Sequence, residues 1–255
     1  MLTDIHCHLS FPEFDQDRNA VIERLRQEKV TIVIDPGTDV PSSRKSIALA
    51  QSHDFIFANV GLHPHEVRET VPDEIFLELE TMALSEKVIG IGEIGLDYHY
   101  PQYDRTSQLH AFREMLRMAK SLDLPAVIHC RDAWEDTLRI LSEERSSGLR
   151  GVMHCFSGNK ELAERCLGLG FGISIPGTVT YRNSVLPEVV AAIDLKYLYS
   201  ETDSPYLAPV PMRGKRNEPA FVRHIVAAIA DIRKESPDDV AEAIADNARN
   251  LFSLP

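Results

Sequence analysis

The sequence predicts an α/β fold, a (β/α)8 TIM barrel forming a single domain over residues 1–255, with an extra C-terminal helix. Three observations carry that expectation. Eight short apolar runs alternate with stretches of helical periodicity in 255 residues, which is the arithmetic of this fold. No Pro/Gly/Ser-rich linker, low-complexity tract or composition break marks a second domain. The rival, a doubly wound open sheet, calls for Gly-x-Gly-x-x-Gly after its first strand. That motif is missing there, and Gly90-Ile91-Gly92 lies inside a later strand.

Taken in order, a short first strand ends in His6-Cys7-His8, and a helix follows from about Asp17 to Lys29 with Val21, Ile22 and Leu25 on one face. Thr31 to Ile34 is the second strand, closing at Asp35-Pro36-Gly37 before a helix opened by Ser42 or Ser43. Phe55 to Val60 is the third and runs into Gly61-Leu62-His63-Pro64-His65; Pro72 suits the first turn of a helix carrying Ile75, Leu79 and Met82. The fourth strand, from Val88, stops at Glu93. Alternation puts that carboxylate on the same face as Ile89 and Ile91, and a buried charge there needs a partner or a ligand.

A helix from Asp104 to Leu122 carries the stripe Leu109, Phe112, Leu116 and Ala119. Pro125 to His129 is the fifth strand, with Asp132 and Glu135 as a capping arrangement for the next helix. Gly151 to His154, Gly170 to Ile175 and Lys196 to Asp203 are the sixth to eighth. Helical periodicity follows each, in Leu162, Ala163 and Cys166, then Val185, Val189 and Ile193, then Val222, Ile225, Ile229 and Ile232. The last helix opens at Ser236-Pro237-Asp238-Asp239 and turns Val240, Ile244 and Ala248 inward.

The hydrophobic content of 44% and charged content of 26% are those of a globular protein, and no apolar segment is long enough to cross a bilayer. Met1-Leu2-Thr3-Asp4 lacks the basic and apolar regions of a secretory signal, so a cytoplasmic protein is expected. A net charge of -12 argues against holding nucleic acid by bulk electrostatics. Any polyanion must be handled locally. Cys7, Cys130, Cys155 and Cys166 are too few and too scattered for a disulfide scaffold. Three adjoin a histidine, and alternation turns them away from it toward the packing helices.

In a barrel the chemistry gathers where strands end at their C-terminal side. Six of the predicted strands end in metal-ligand types: His6 and His8, His63, Glu93, His129, His154 and Asp203, which include five of the ten histidines. His6 and His8, two apart, project from one face and can close on one ion. Imidazole with carboxylate and no thiolate suits zinc, manganese, iron or nickel better than calcium. Glu93 is the natural bridge, Asp203 joins His6 and His8, and His129 with His154 completes a second site. Such a binuclear centre activates water and polarises a scissile group. Asp203 is placed to orient or deprotonate that water, and His63 to contact the substrate or its leaving group. His53, His65, His99, His110 and His224 are read as surface or packing residues.

These residues lie in motifs that resemble the TatD family of metal-dependent hydrolases, the deoxyribonuclease-like branch of the amidohydrolase barrels, nearly end to end. The motifs are Asp4-x-His6-x-His8-Leu9, Gly92-Glu93-Ile94-Gly95-Leu96-Asp97-Tyr98, Pro125-x-x-x-His129-x-Arg131, His154-Cys155-Phe156-Ser157-Gly158 and Glu201-Thr202-Asp203-x-Pro205. The resemblance implies that His6, His8, Glu93, His129, His154 and Asp203 hold two divalent ions (zinc, manganese or magnesium), with Glu93 bridging and His63 in the active site. It also implies hydrolysis of phosphodiester bonds in DNA from the 3′ end, with DNA as a transient substrate and no membrane or stable protein partner. Ile5, Ser10 and Tyr199-Ser200 depart from the family pattern without removing a ligand.

Arg213-Gly214-Lys215-Arg216 follows the eighth strand, and on the rim Arg213, Lys215 and Arg216 would form a phosphate clamp with Arg131 as a further member. As a plain solvated loop they would have no such role. Two other functions suit the same residues. One is a hydrolase of an ester or amide, such as an esterase, lactonase or aminoacyl deacylase. The other is a non-catalytic barrel stabilised by its metals, although structural zinc sites are usually rich in cysteine.

Overall fold

The computed structural model describes residues 1–145 and 148–254. Its strands are β1 (Leu2–Asp4), β2 (Val30–Pro36), β3 (Ile56–Val60), β4 (Val88–Asp97), β5 (Ala126–Arg131), β6 (Gly151–Met153), β7 (Phe171–Ile175) and β8 (Leu198–Ser200). Between and after them lie α1 (Arg18–Gln27), α2 (Val40–Gln51), α3 (Asp73–Ala83), α4 (Arg105–Ser121), α5 (Trp134–Glu143), α6 (Lys160–Gly168), α7 (Leu186–Ala192), α8 (Val222–Arg233) and α9 (Pro237–Phe252). The strands follow the order β1 to β8 in one sheet, and the pairs β1–β2, β3–β4, β4–β5, β5–β6 and β7–β8 are parallel. This is the predicted (β/α)8 fold, with α9 as the extra C-terminal helix. No helix among the described residues is long and apolar enough to cross a membrane.

The Cα atoms cluster into two compact units, one of Met1–Asp35, Cys155–Leu167 and Gly172–Pro255, the other of Pro36–His154 and Gly168–Phe171. In the first unit the Ile5 amide donates to the Ser200 carbonyl at 3.1 Å and the Ser200 hydroxyl to the Thr3 carbonyl at 2.6 Å, so the last strand runs beside the first. Helix α9 begins with a Ser236 cap, Pro237 in its first turn and Asp238 and Asp239 at the positive end of its dipole. It packs over β1 and β8 and buries Val240, Ile244, Ala248 and Phe252. Asn247 ties it down by donating to the carbonyls of Leu195 and Leu198 at 2.8 and 2.9 Å.

In the second unit all ten residues of β4 are buried. The register with β5 shifts between Ile91 and Ile94, then resumes as Ile94 opposite Ile128, Gly95 opposite His129 and Asp97 opposite Arg131. The strand therefore continues four residues past Glu93, and strict alternation does not carry through that carboxylate. Gly95 permits the continuation: its φ is +145°, and a Cβ there would land on the His129 carbonyl. Helix α4 opens with the Asp104 side chain accepting from the Ser107 amide at 2.7 Å and buries Gln108, Phe112, Leu116 and Ala119, while Leu109 stays half-buried.

Other boundaries also differ from expectation. β1 stops at Asp4, so His6 and His8 sit in the following loop rather than on a strand face; β8 stops at Ser200, three residues before Asp203. Helix α2 is capped by Asp39, which accepts from the Ser42 amide at 2.7 Å while Ser42 Oγ accepts from the Asp39 amide at 2.9 Å. Ser42 is thus the N3 residue of a capping box and not the cap. Helix α5 starts after Ala133 with no side-chain cap, because the Asp132 carboxylate faces the His99 ring at 2.9 Å instead. Cys7, Cys130 and Cys166 are buried and Cys155 half-buried, with none in a disulfide. Burial pushes the Cys130 thiol up to about 12, which is the behaviour of a packing residue.

Candidate metal centre

In the first unit, main-chain bonds stitch the loop after β1 to the loop after β8. The Asp203 amide donates to the His6 carbonyl and the His8 amide to the Ser204 carbonyl, both at 2.9 Å. Asp203 holds a left-handed φ of 52°, a conformation that aspartate tolerates better than most residues. The loops bring His6, His8 and Asp203 together so that each offers a ligand atom within 4.8 Å of the others. His8 Nε2 lies 3.5 Å from Asp203 Oδ1, and the His6 and His8 rings meet edge to face at 5.0 Å. Beneath them Asp4, fully buried, accepts from the Thr202 amide at 2.9 Å and the Thr202 hydroxyl at 2.6 Å. Those bonds fix the chain just before Asp203.

In the second unit one oxygen organises the cluster. Glu93 Oε1 lies 2.8 Å from His129 Nδ1, 3.2 Å from His63 Nε2 and 3.4 Å from His154 Nε2. Glu93 is 2% exposed, and its amide is held by the Gly37 carbonyl at 3.0 Å. The two flanking imidazoles differ in what they present. His63 Nδ1 accepts from the His65 amide at 3.1 Å, so the neutral ring carries its proton on Nε2 and donates toward Glu93. Burial, partly opposed by the Glu93 charge, lowers His63 to about 4 and keeps it neutral. His129 is bonded on both sides: its Nε2 faces the Asp97 carboxylate at 3.1 Å and its Nδ1 the Glu93 carboxylate at 2.8 Å, so each nitrogen turns a proton to an acceptor. Burial disfavours the His129 imidazolium, but its bonds to Asp97 and Glu93 outweigh that and raise its pKa.

Asp97 was not among the sequence candidates. It is 1% exposed and its Oδ2 also lies 2.8 Å from His65 Nε2. The bond to His129 and those from the His99 amide and His65 hold it well below the usual carboxylate range, against the opposing effect of burial. His65, expected as a surface or packing residue, packs: it bonds Asp97 and stacks on Tyr103 at 4.8 Å. The signal was available in Gly95-Leu96-Asp97-Tyr98, where alternation counted from Gly95 would place Asp97 on the His129 side of a longer strand.

The basic residues fare differently. Arg131 is exposed, its guanidinium 5.3 Å from the Tyr100 ring. Arg213 lies 4.2 Å over the Tyr181 ring, and Lys215 is exposed. Arg216 is turned back: it grips the Asp17 carboxylate at 2.8 and 2.7 Å and the Glu13 carbonyl at 2.6 Å. It anchors the loop against α1 rather than standing open for phosphate.

The donor chemistry fits divalent ions. His6, His8 and Asp203 form one group and His63, Glu93 and His129 another, all buried or half-buried imidazole and carboxylate with no thiolate. Within the second group His129 and His63 each turn one ring nitrogen to Glu93 Oε1, at 2.8 and 3.2 Å.

A family model described as TatD related DNase matches residues 3–253. The chain is 38% identical over 255 residues to the uncharacterized metal-dependent hydrolase YabD of Bacillus subtilis, covering 100% of both. It is 35% identical over 259 residues to the 3′-5′ ssDNA/RNA exonuclease TatD of Erwinia billingiae, covering 99% of each. The crystal structure of YJJV, a TatD homolog from Escherichia coli K12, is similar with a TM-score of 0.91 at 33% identity, over 100% of this chain and 98% of that one.

Proposed function

The chain belongs to the TatD-related DNase family of metal-dependent hydrolases, and we propose that it hydrolyses phosphodiester bonds at the 3′ end of single-stranded DNA. The observation that carries this reading is the convergence of His129, His63 and His154 on one oxygen of buried Glu93. The name of the Erwinia relative supports the substrate class. Two divalent ions are the proposed cofactor, one held by His6, His8 and Asp203, the other by Glu93, His129 and His154. When bound, such ions polarise a phosphoryl oxygen and lower the pKa of water. Asp203 takes the proton of the attacking water through its carboxylate. His63 directs its Nε2–H at the leaving sugar oxygen. Arg131, Arg213 and Lys215 steer the phosphates, and Arg216 keeps the loop that carries two of them in place.

Hydrolysis of a small ester or amide is the second reading. Arg216 favours it, because its pairing with Asp17 removes one cation from the supposed clamp. The test is an end-labelled single-stranded DNA oligonucleotide incubated with zinc- or manganese-loaded protein beside Glu93→Ala prepared identically. A ladder shortening from the 3′ end in the wild type alone is expected. Identical lanes with metal bound would overturn the nuclease reading in favour of the ester and amide one.

A further inference from the structure

The geometry points to Asp97 as the positioning residue that makes His129 a metal ligand through Nδ1, an inference that rests on the metal-hydrolase reading above. One carboxylate oxygen, Asp97 Oδ2, receives both His65 Nε2 at 2.8 Å and His129 Nε2 at 3.1 Å. A carboxylate only accepts, so both rings must place a proton on Nε2. For His129 the consequence is chemical: with Nε2 committed to Asp97, the nitrogen turned to Glu93 Oε1 at 2.8 Å is Nδ1, and it is the Nδ1 proton that an arriving ion would displace. Without Asp97 the imidazole would be at liberty to put its proton on either nitrogen and to rotate about its side-chain torsions. With it, the Nε2 proton and the ring plane are both set before any ion arrives, which leaves Nδ1 as the nitrogen that faces the ion.

Asp97 is itself over-determined, which is what a positioning group requires. Its Oδ1 accepts from the His99 amide at 2.9 Å. Its main-chain amide donates to Gln108 Oε1 at 2.9 Å, and its carbonyl accepts from Gln108 Nε2 at 3.1 Å. Gln108 lies in helix α4 and is 1% exposed, so helix and strand hold the aspartate from behind while its side chain faces the two histidines. Stacking on Tyr103 fixes His65 in turn, leaving Asp97 Oδ2 no slack to drift from His129.

The experiment is zinc titration by calorimetry of the metal-free wild type, Asp97→Ala and Asp97→Asn, with long-range proton–nitrogen NMR of the histidine rings in the zinc-loaded proteins. Asp97→Ala is expected to weaken zinc binding at the Glu93 cluster by about 10–100-fold. The wild-type spectrum is expected to show His129 coordinated through Nδ1 with its proton on Nε2, a pattern lost in Asp97→Ala. If Asp97→Ala does not fold, as judged by its melting curve, the near-isosteric Asp97→Asn is read in the same two ways. Unchanged affinity within twofold, or coordination of wild-type His129 through Nε2, would overturn the inference. Neither readout involves DNA. Asp97-dependent zinc binding in a protein that cleaves no oligonucleotide would therefore refute the nuclease reading and leave this inference standing.

Discussion

Replacing Gly95 by alanine should damage both the fold and the metal centre, and by an amount the structure sets. At φ +145° an L-residue is strained, and the new Cβ would stand 2.8 Å from the His129 carbonyl carbon and 3.0 Å from its amide nitrogen, with the carbonyl oxygen nearer still. Contacts to carbon settle at about 3.5–4.0 Å, and the carbonyl oxygen at 1.9 Å is the nearest atom, so the β5 backbone must retreat by roughly 1.5 Å. The conformational penalty is about 1–3 kcal/mol, and loosening two ladder bonds adds about 0.5–1.5 kcal/mol each. The sum, about 2–6 kcal/mol, is a large part of the 5–15 kcal/mol typical of a folded domain. It corresponds to a fall in Tm of roughly 4–24 °C for a chain of this size. Urea and thermal unfolding followed by circular dichroism would measure the stability, and zinc calorimetry would report the displaced His129. Gly214→Ala is the internal control: its φ of +85° is also left-handed, but no atom lies within 4 Å of the added Cβ. It should lose only about 1–2 kcal/mol. Equal losses in the two variants, or an unchanged Tm for Gly95→Ala, would refute the close-approach argument.

Other outcomes follow from the same geometry. Zinc at 100 times its Kd should raise stability by about 2.7 kcal/mol through binding to the folded state alone; no change in Tm on chelation would remove the metal centre. Arg24 holds Glu218 through contacts of 2.9, 3.1 and 2.7 Å, and Glu218 is only 10% exposed at its side chain. Arg24→Ala should therefore cost about 1–2 kcal/mol in urea unfolding, and Arg24→Lys should not restore it, because a point charge cannot reproduce the fork. The Arg216 guanidinium holds Asp17 below its ordinary pKa, so this pairing stabilises the fold above about pH 4 and is lost as pH falls through the lowered value. Melting curves of wild type and Arg216→Ala should separate at neutral pH and converge in acid; a gap that persists in acid would mean packing on Phe14 is responsible. Lys215→Ala should weaken an oligonucleotide substrate more than a small chromogenic phosphodiester, and equal losses on both would deny the loop a steering role.

Much of this was legible in the sequence because two periodicities carry physical content. The β-then-α alternation showed in the spacing of Val21, Ile22 and Leu25 and of Phe112, Leu116 and Ala119, all buried as that spacing requires. His6 with His8 and Asp203, and Glu93 with His129 and His154, showed because ligand-type side chains recurring after successive apolar runs of the sequence have few structural uses. What did not show was local hydrogen bonding. A cap depends on which side chain reaches an amide, so Ser42 could be taken for Asp39 and Asp132 for a cap it does not make. Asp97 escaped because a shifted register between Ile91 and Ile94 broke the alternation that would have carried the eye past Glu93. Arg216 could be read as open because charge in a sequence carries no record of the partner it meets, and Asp17 lies 199 residues away.

The chain distances within the two clusters also set an order of assembly. Glu93, His63, His129 and His154 all fall within Pro36–His154, a nearly continuous stretch that supplies its own strands and helices. His6 and His8 are made first but must wait for Asp203, for the Ser200 carbonyl that takes the Ile5 amide, and for the helix at Pro237–Phe252 that covers β1. A chain emerging from the ribosome at about 5–20 residues per second therefore has the whole Glu93 cluster available several seconds before the earliest-made histidines can find their carboxylate. During that interval β1 has β2 on one side, while the edge that later meets Ser200 stands unpaired.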